Sequence, residues 1–495
     1  RQTLFFLIKF GMGIKRIAFI EPNTPGRHVF SKIRIPRLGA LLLATIMRNR
    51  GYETRVFLED LAPPDWSWIE NSDLLCISAI TNTAQRSYAI AERFRKLGMP
   101  VIMGGAHPSF LPEEALQYAD YVVRQEGDEG LPELVSFLDK GNPPLAGIRG
   151  ISYKKDGRAV HNPQRPFISE LLNVPSPDFS LAHGWRPGDV YPVSSSRGCP
   201  FQCRFCSVIQ MFGKRYRFRS VEATLHDLKA LSGISGTVFF VDDNFAANKN
   251  RTKQILRGII AEGIKMRWSA QARVDVAKDP ELLRLLADAS CSKLFIGFES
   301  INPKTLELYN KKQNLEEIKS CIRALSEHGI GIHGMFVLGA DTDDVETIRK
   351  TAGFARVLGR GTLQLMMLTP YPGTPIYEQF EEEGRLLHKN WLKYDGMNAV
   401  YRPALMDPEE LHVETLKGLR KFYSWGYILG QAAALDFYHA ALGLYGKNSV
   451  RLALRKAKKY LEDATRGNMA AQFPSEERKL PQAQLPRTPH SVASE

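Results

Sequence analysis

Cysteine is scarce in this chain, at six residues in 495. That density excludes a disulfide-stapled secreted scaffold and points to a reducing, cytoplasmic setting. Long apolar runs are missing too. No stretch of 18 residues is free of charged or strongly polar groups, which argues against a spanning helix. The apolar start, "RQTLFFLIKFGMG", is too short to span a bilayer and has no small-residue cleavage site. It reads as an extension ahead of the first strand. Acidic residues are in deficit, 53 against 66 basic ones, for a net charge of +13. The imbalance favours an acidic partner such as nucleic acid, an anionic membrane surface or an anionic substrate. A soluble enzyme with a basic surface fits the composition equally well. The hydrophobic fraction of 44% excludes a disordered chain, and the length calls for two to four domains.

In the first third, short apolar runs alternate with helical patterns. "KRIAFIEP", "TRVFLED", "DLLCISAI", "MPVIMGG" and "DYVVRQ" read as strands. "RLGALLLATIMRNRGYE", "AQRSYAIAERFRKLG" and "LPELVSFLDKG" read as the helices between and after them. This order predicts a parallel, Rossmann-like sheet over residues 1–160. Ligands of such sheets sit beyond the carboxyl ends of the strands. Those ends hold Glu21 to Thr24, Ser78 to Asn82, Gly104 to His107 and Glu126 to Asp128. Gly104 and Gly105 lack a Cβ and admit a ligand close to the backbone. A Pro-rich, aperiodic stretch predicts a linker over 161–188.

From 189 to 385 the pattern repeats strand and helix six times, which predicts a partial (β/α) barrel of the TIM type. Polar residues gather at its strand ends, where such folds build chemistry. They are Asp242, Asp243 and Asn244; Arg273 and Asp275; Glu299 and Ser300; Asp341 and Asp343. After the first of these strands comes "SSSRGCPFQCRFCSV", which places Cys199, Cys203 and Cys206 within eight residues. Cys76, Cys291 and Cys321 lie in apolar or helical contexts and read as buried thiols. Three close thiolates suit few purposes. A structural zinc wants a fourth ligand, and none is obvious. A disulfide plus a free thiol does not suit a reducing compartment. A 4Fe–4S cluster on three cysteines leaves one iron open.

"CPFQCRFC", set after the first strand of a six-fold βα repeat, resembles the Cys-x3-Cys-x2-Cys loop of radical S-adenosylmethionine (SAM) enzymes. "FFVDDNF", "GFES", "GMFVLGADTDD" and "TPYPGTPIY" are similar to strand-end signatures of the subgroup with an N-terminal cobalamin-binding domain. That subgroup includes hopanoid methylases and the anaerobic ring cyclase of chlorophyll synthesis. "IPRLGALLLATIMRNRGYE" and "MGGAHPSFLPEEAL" resemble its first domain, and the likeness covers about residues 14–385. Two departures stand out. "QEGD" at Gln125 to Asp128 replaces the frequent Gly-Glu-Gly-Glu. There is no Asp-x-His-x-x-Gly after the first strand, so no histidine is placed as a lower base for cobalamin. The resemblance implies a cluster on Cys199, Cys203 and Cys206 whose open iron is chelated by SAM. Reductive cleavage of SAM would yield a 5′-deoxyadenosyl radical, with the protein positioning and shielding it. Asp242 and Asp243 would accept from the SAM ammonium, and Arg273 would pair with its carboxylate. Glu299 and Ser300 would meet the ribose, and Phe205 and Gly339 would flank the adenine. Cobalamin would sit at Ser78, Gly104, Gly105 and the Glu126–Gly127 turn. The implied reaction is methyl transfer to an unactivated carbon of a lipid-like, tetrapyrrole or natural-product substrate, with radical cyclisation as the alternative. The implied electron donor is a flavodoxin or ferredoxin.

Residues 386–466 read as a helical domain and 467–495 as a disordered tail. "KNSVRLALRKAKKYLED" is a basic helix, separated from the aromatic stretch before it by a Gly446–Lys447 turn. Such a pair suits peripheral contact at the inner face of a membrane, or the charged face of a packed bundle. A tRNA-modifying radical enzyme would bring an all-β RNA-binding domain here, so the helical tail argues against nucleic acid as a partner. A non-catalytic iron–sulfur or zinc protein would not need the repeated strand-end acids.

Overall fold

A computed structural model describes residues 11, 13–24, 35–186, 190–234, 237–359 and 361–465. Nearly all of the N-terminal extension, the tail over 467–495 and the side chain of Lys458 lie outside them. The first sheet begins with five parallel strands, β1 (Arg16–Glu21), β2 (Glu53–Leu58), β3 (Leu74–Ser78), β4 (Val101–Gly104) and β5 (Tyr121–Val123), in the order β2-β1-β3-β4-β5. Burial of both faces explains their near-continuous apolar sequences. Ala18 and Ile20 join one core with Ile90 and Phe94 of the helix Ala84–Lys96. Ile17 and Phe19 join another with Leu41 and Leu134 of the helices Leu38–Arg48 and Gly127–Lys140.

Two strands absent from the sequence reading extend the sheet. β6 (Ile151–Lys155) and β7 (Arg158–His161) form an antiparallel hairpin on the β5 edge. Its turn is Asp156–Gly157, with φ of 51° and 78°. Asp-Gly is the two-residue turn that a right-twisted hairpin favours, so the signal was present.

The second sheet starts at β8 (Tyr191–Val193). A short antiparallel pair, β9 (Ser196–Arg197) and β10 (Arg217–Phe218), brackets the cysteine loop. The sheet continues with β11 (Thr237–Phe240), β12 (Arg267–Ala272), β13 (Cys291–Glu299), β14 (Gly331–Leu338) and β15 (Thr362–Met367). Its six strands are parallel, in the order β8-β11-β12-β13-β14-β15. One set of alternating side chains, including Val238, Phe240, Ala270, Leu294, Ile296 and Phe336, is fully buried. On the opposite set Phe239, Phe295, Met335 and Met366 are only half-buried. The mixed α/β class with parallel sheets is as expected.

Three helices close the described chain, Pro408–Phe422, Trp425–Ala433 and Phe437–Thr465. The expected break at Gly446–Lys447 does not occur, because the last helix runs through it. A single interior glycine costs a helix only about 1 kcal/mol. Here the nearby Gly443 serves packing, since a Cβ on it would stand 3.0 Å from the Tyr427 ring. No helix among the described residues is long and apolar enough to cross a membrane.

Candidate active site

Cys199, Cys203 and Cys206 lie half-buried on the loop between β9 and the helix Val208–Phe212. Residues 309–310 hold that loop by three contacts. Arg204 N donates to Tyr309 O at 3.2 Å. Asn310 Nδ2 donates to Gln202 O at 3.0 Å. The Phe205 ring stands edge-on to Tyr309 at 4.9 Å. Burial pushes all three thiols up, Cys206 to about 12. They therefore stay protonated until an electrophilic metal group displaces the proton. Among the described residues no three His, Cys, Asp or Glu side chains gather to hold a single metal ion. The thiolates of a four-iron cluster sit on separate irons, so they need not converge on one point. The donor set fits such a cluster, with the cations of Lys311 and Arg273 close enough to favour the Cys203 thiolate.

Arg273 follows the end of β12. Its guanidinium lies 3.7 Å from the Phe201 ring centroid and its Nη2 donates to Lys311 O at 2.5 Å. Its Nε is buried without a hydrogen-bond partner, with Asp275 Oδ1 at 3.6 Å. An orphaned donor beside the cysteine loop suits an incoming carboxylate. Glu299 sits at a bulge in β13 with φ of 63°. Its Oε1 accepts from Lys311 Nζ at 2.6 Å, both side chains being buried. A Cβ on Gly297 would fall 2.4 Å from that carboxylate oxygen, so a side chain there would displace the pair. Lys311 escaped the sequence reading, as nothing in "NKKQN" sets it apart.

Asp242 is fully committed within the chain. Its carboxylate accepts from Ser195 N at 3.1 Å, Ser195 Oγ at 2.9 Å and Ser196 Oγ, with the Arg251 cation nearby. Asp243 differs. No donor among the described residues reaches it, and burial together with the Asp242 charge pushes its carboxyl up to about 7. Ser300 is buried, and its Oγ accepts from Asn302 N at 3.0 Å. Gly339 has φ of 97°, and a Cβ on it would stand 2.7 Å from Leu411 and Tyr401. Its O accepts from the Tyr401 hydroxyl.

A cavity of about 530 Å3 opens between the two sheets. The first domain contributes Ser78, Gly104, Gly105, Glu126 and Gly127, the five residues expected to bind cobalamin. The second contributes Ser194, Ser207, Met211 and Asp243. Of the expected SAM residues, only Asp243 lines this cavity; Arg273, Glu299 and Phe205 each contact the 309–311 segment instead. The volume is within the usual range for ligand sites. No histidine is among the described residues that line it. Gly105 has a reason of its own to be glycine. With φ of 94°, a Cβ would lie 2.5 Å from Ala79 O.

The "QEGD" turn proves to be a junction. Arg197, two residues before Cys199, makes a fork to Asp128 at 2.8 and 3.1 Å and reaches Glu126 Oε1 at 3.1 Å. Arg217 Nη1 donates to Glu126 Oε2 at 2.9 Å and to Ile168 O at 2.7 Å. His107, from "GGAHP", is buried away from the cavity. Its Nε2 meets Tyr88 Oη at 3.0 Å and its ring packs on Trp391 at 5.1 Å. Sequence reasoning missed both contacts.

Two family models match, the radical SAM superfamily over residues 193–355 and the B12 binding domain over 31–135. An uncharacterised methyltransferase of Pyrococcus horikoshii is 31% identical over 85% of this chain and 94% of its own. The bacteriochlorophyllide d C-12(1)-methyltransferase of Chlorobaculum tepidum is 27% identical over 79% of this chain and 83% of its own. The hopanoid C-2 methylase of Rhodopseudomonas palustris and the anaerobic magnesium-protoporphyrin IX monomethyl ester cyclase of Cereibacter sphaeroides, of the kinds the motifs suggested, are each 26% identical. They cover 72% and 82% of this chain, and 66% and 70% of their own. The radical SAM methyltransferase TsrM of Kitasatospora setae, solved with cobalamin and a [4Fe-4S] cluster, shares the fold. Its TM-score is 0.66 at 17% identity, over 91% of this chain and all of that one. The chain belongs to the radical SAM superfamily, in the group that carries a B12-binding domain ahead of the radical SAM domain. It is a radical SAM enzyme of the cobalamin-dependent methyltransferase family, and its cofactors are a 4Fe–4S cluster, SAM and cobalamin.

Proposed function

We propose that this enzyme methylates an unactivated carbon of an apolar, lipid-like or tetrapyrrole small molecule. The cavity carries the reading, because it runs from the strand ends of the B12-type sheet to Asp243 and Ser207 beside the cysteine loop. When bound, the cluster and SAM supply radical chemistry and cobalamin supplies methyl transfer. The chain's own residues position and shield them. Cys199, Cys203 and Cys206 hold the cluster. Asp243 accepts from the SAM ammonium, with Asp242 fixing the strand end behind it. The free Nε of Arg273 takes the carboxylate. Glu299 and Ser300 meet the ribose, with Lys311 orienting Glu299, and Phe205 and Gly339 border the adenine. Ser78, Gly104, Gly105, Glu126 and Gly127 form the corrinoid side. A flavodoxin or ferredoxin supplies the electron.

The half-buried face of the second sheet supports this substrate class. A parallel sheet is ordinarily covered on both faces, and the half-buried Phe239, Phe295, Met335 and Met366 give this face an apolar surface, Phe239 and Phe295 standing ring to ring at 5.1 Å. Within that face, His333 bonds Thr362 Oγ1 at 2.7 Å and Gln364 Oε1 at 3.1 Å. Burial pushes the imidazole down to about 4, so it is a neutral polar contact. The relatives named for bacteriochlorophyllide, protoporphyrin and hopanoid suit such a face.

Anaerobic reconstitution tests the proposal, with iron counting, an optical spectrum with and without cobalamin, and SAM labelled in its methyl group. The expected result is about four irons per chain, a bound corrinoid, and label in solvent-extractable product. Formation of 5′-deoxyadenosine with no label transferred from an extract that contains the substrate would return the enzyme to the cyclase reading.

A further inference from the structure

The helical hairpin at the end of the described chain concentrates exposed apolar side chains. Trp425 is 57% exposed, Leu429 63%, Leu435 77%, Phe437 67% and Tyr438 66%. With Leu444 and Leu452 these are seven of the fourteen large exposed hydrophobics among the described residues. Surface apolar residues are ordinarily scattered, and a cluster marks a contact. Trp425 and Leu429 are one helical turn apart, and Leu435 lies in the connection to the long helix.

Positive charge follows this corner along the long helix. At 100° per residue, Phe437, Leu444, Arg451, Leu452, Arg455 and Lys459 fall on one side of the long helix, and all six are exposed. Val450, Ala457 and Leu461 fall on the opposite side and are buried. The outward side is thus apolar in its first half and cationic in its second. Lys447 Nζ stands 5.5 Å from the Trp425 ring centroid, at the border of the two. Among the described residues Lys447, Arg451, Arg455, Lys456 and Lys459 form no ion pair. Glu462 and Asp463 stand at the far end of the helix.

We propose that the hairpin 425–459 is a docking surface for an anionic lipid bilayer, with the Trp425 to Tyr438 corner entering the interface and the basic residues facing lipid phosphates. Charge complementarity selects this occupant. Tryptophan and tyrosine favour the headgroup boundary, and unpaired cations on the same side of the helix favour anionic lipid over an apolar protein partner. Each basic residue near an anionic leaflet raises partitioning about five-fold, and salt screens the effect. The inference goes beyond methyl transfer and stands apart from it, because binding is read without turnover.

Co-sedimentation of the holoenzyme with vesicles tests it. Mixed phosphatidylglycerol–phosphatidylcholine vesicles should pellet the enzyme, and high salt should release it. Pure phosphatidylcholine should pellet it at least about ten-fold more weakly. Arg451→Glu, Arg455→Glu and Lys459→Glu together should reduce binding by about a hundred-fold or more, with circular dichroism and cofactor absorbance unchanged. Phe437→Ser with Tyr438→Ser should weaken binding and remove the blue shift of tryptophan fluorescence on vesicle addition. Equal recovery in the supernatant with and without anionic vesicles overturns the proposal. So does a dimer in light scattering that the Phe437 and Tyr438 changes dissociate, because the corner would then be covered by a second copy.

Discussion

Asp243 shows most clearly what the site is prepared to receive. Its folded carboxyl titrates near 7 against an ordinary value of 3.8. Between those two values the folded chain holds a proton that the unfolded chain has lost, so stability falls as pH rises through the window. Above about pH 7 the whole penalty is present, and below about pH 4 it is gone. Asp243→Asn should therefore stabilise the cofactor-free chain at about pH 8 by on the order of 1–2 kcal/mol, after discounting for its partial exposure, with little gain at about pH 4.5. Urea unfolding at the two pH values reads this. The same change should weaken SAM binding at least about ten-fold, because a cation-accepting group is lost. At the cysteines, replacing Cys199, Cys203 or Cys206 by Ala should reduce bound iron and abolish 5′-deoxyadenosine formation while the circular dichroism persists. The cysteine loop was legible because the spacing of ligands on one loop is local in sequence. Asp243 and Arg273 could be picked out as candidates because βα folds place polar residues at strand ends. Lys311 and Arg197 were not, since each is defined by a partner in another element, Glu299 12 residues away in one case and Asp128 69 residues away in the other.

Among the elements, the strands and helices of both sheets followed from hydrophobic period, and the errors came where an element depended on a neighbour. The β6–β7 hairpin lay in a stretch too polar to read as core, since an edge pair needs one apolar face only. The last helix passed through Gly446 because one interior glycine costs a helix only about 1 kcal/mol, too little to end it. Gly105 corrects a different kind of inference. Its missing side chain makes room for Ala79 O, whatever ligand lies beyond. Gly105→Ala should cost about 2 kcal/mol or more in urea unfolding, from the left-handed φ and the clash together. That loss should appear without cobalamin present. The Glu126 junction makes a second test at this scale. Arg217→Ala strips a buried carboxylate of one of its two cations and should cost about 3 kcal/mol. Arg16→Ala, which loses a partly exposed pair with Glu53, should cost under about 1 kcal/mol.

For the whole molecule, the cavity lies between two sheets that already share a buried cluster, Ala18 and Ile20 of the first with Val238 and Phe240 of the second, and ligands in it add to that tie. A corrinoid at a hundred times its dissociation constant should add about 2.7 kcal/mol to the unfolding free energy, and a thermal scan should show one later transition. Arg197 gives that tie a direction. One side chain grips the Glu126–Asp128 turn of the proposed corrinoid wall, and two residues later comes Cys199, the first of the proposed cluster ligands. Whatever free energy cobalamin gains from a properly seated turn must be returned to the iron, because coupling between two bound groups is reciprocal. In equilibrium competition with a chelator, corrinoid should tighten the hold on iron by the same factor by which the cluster tightens corrinoid. Arg197→Lys, which keeps the charge but loses the fork, should drive both factors toward one. The enzyme would then hold its two metal cofactors as separate tenants of one chain, each free to leave without notice to the other.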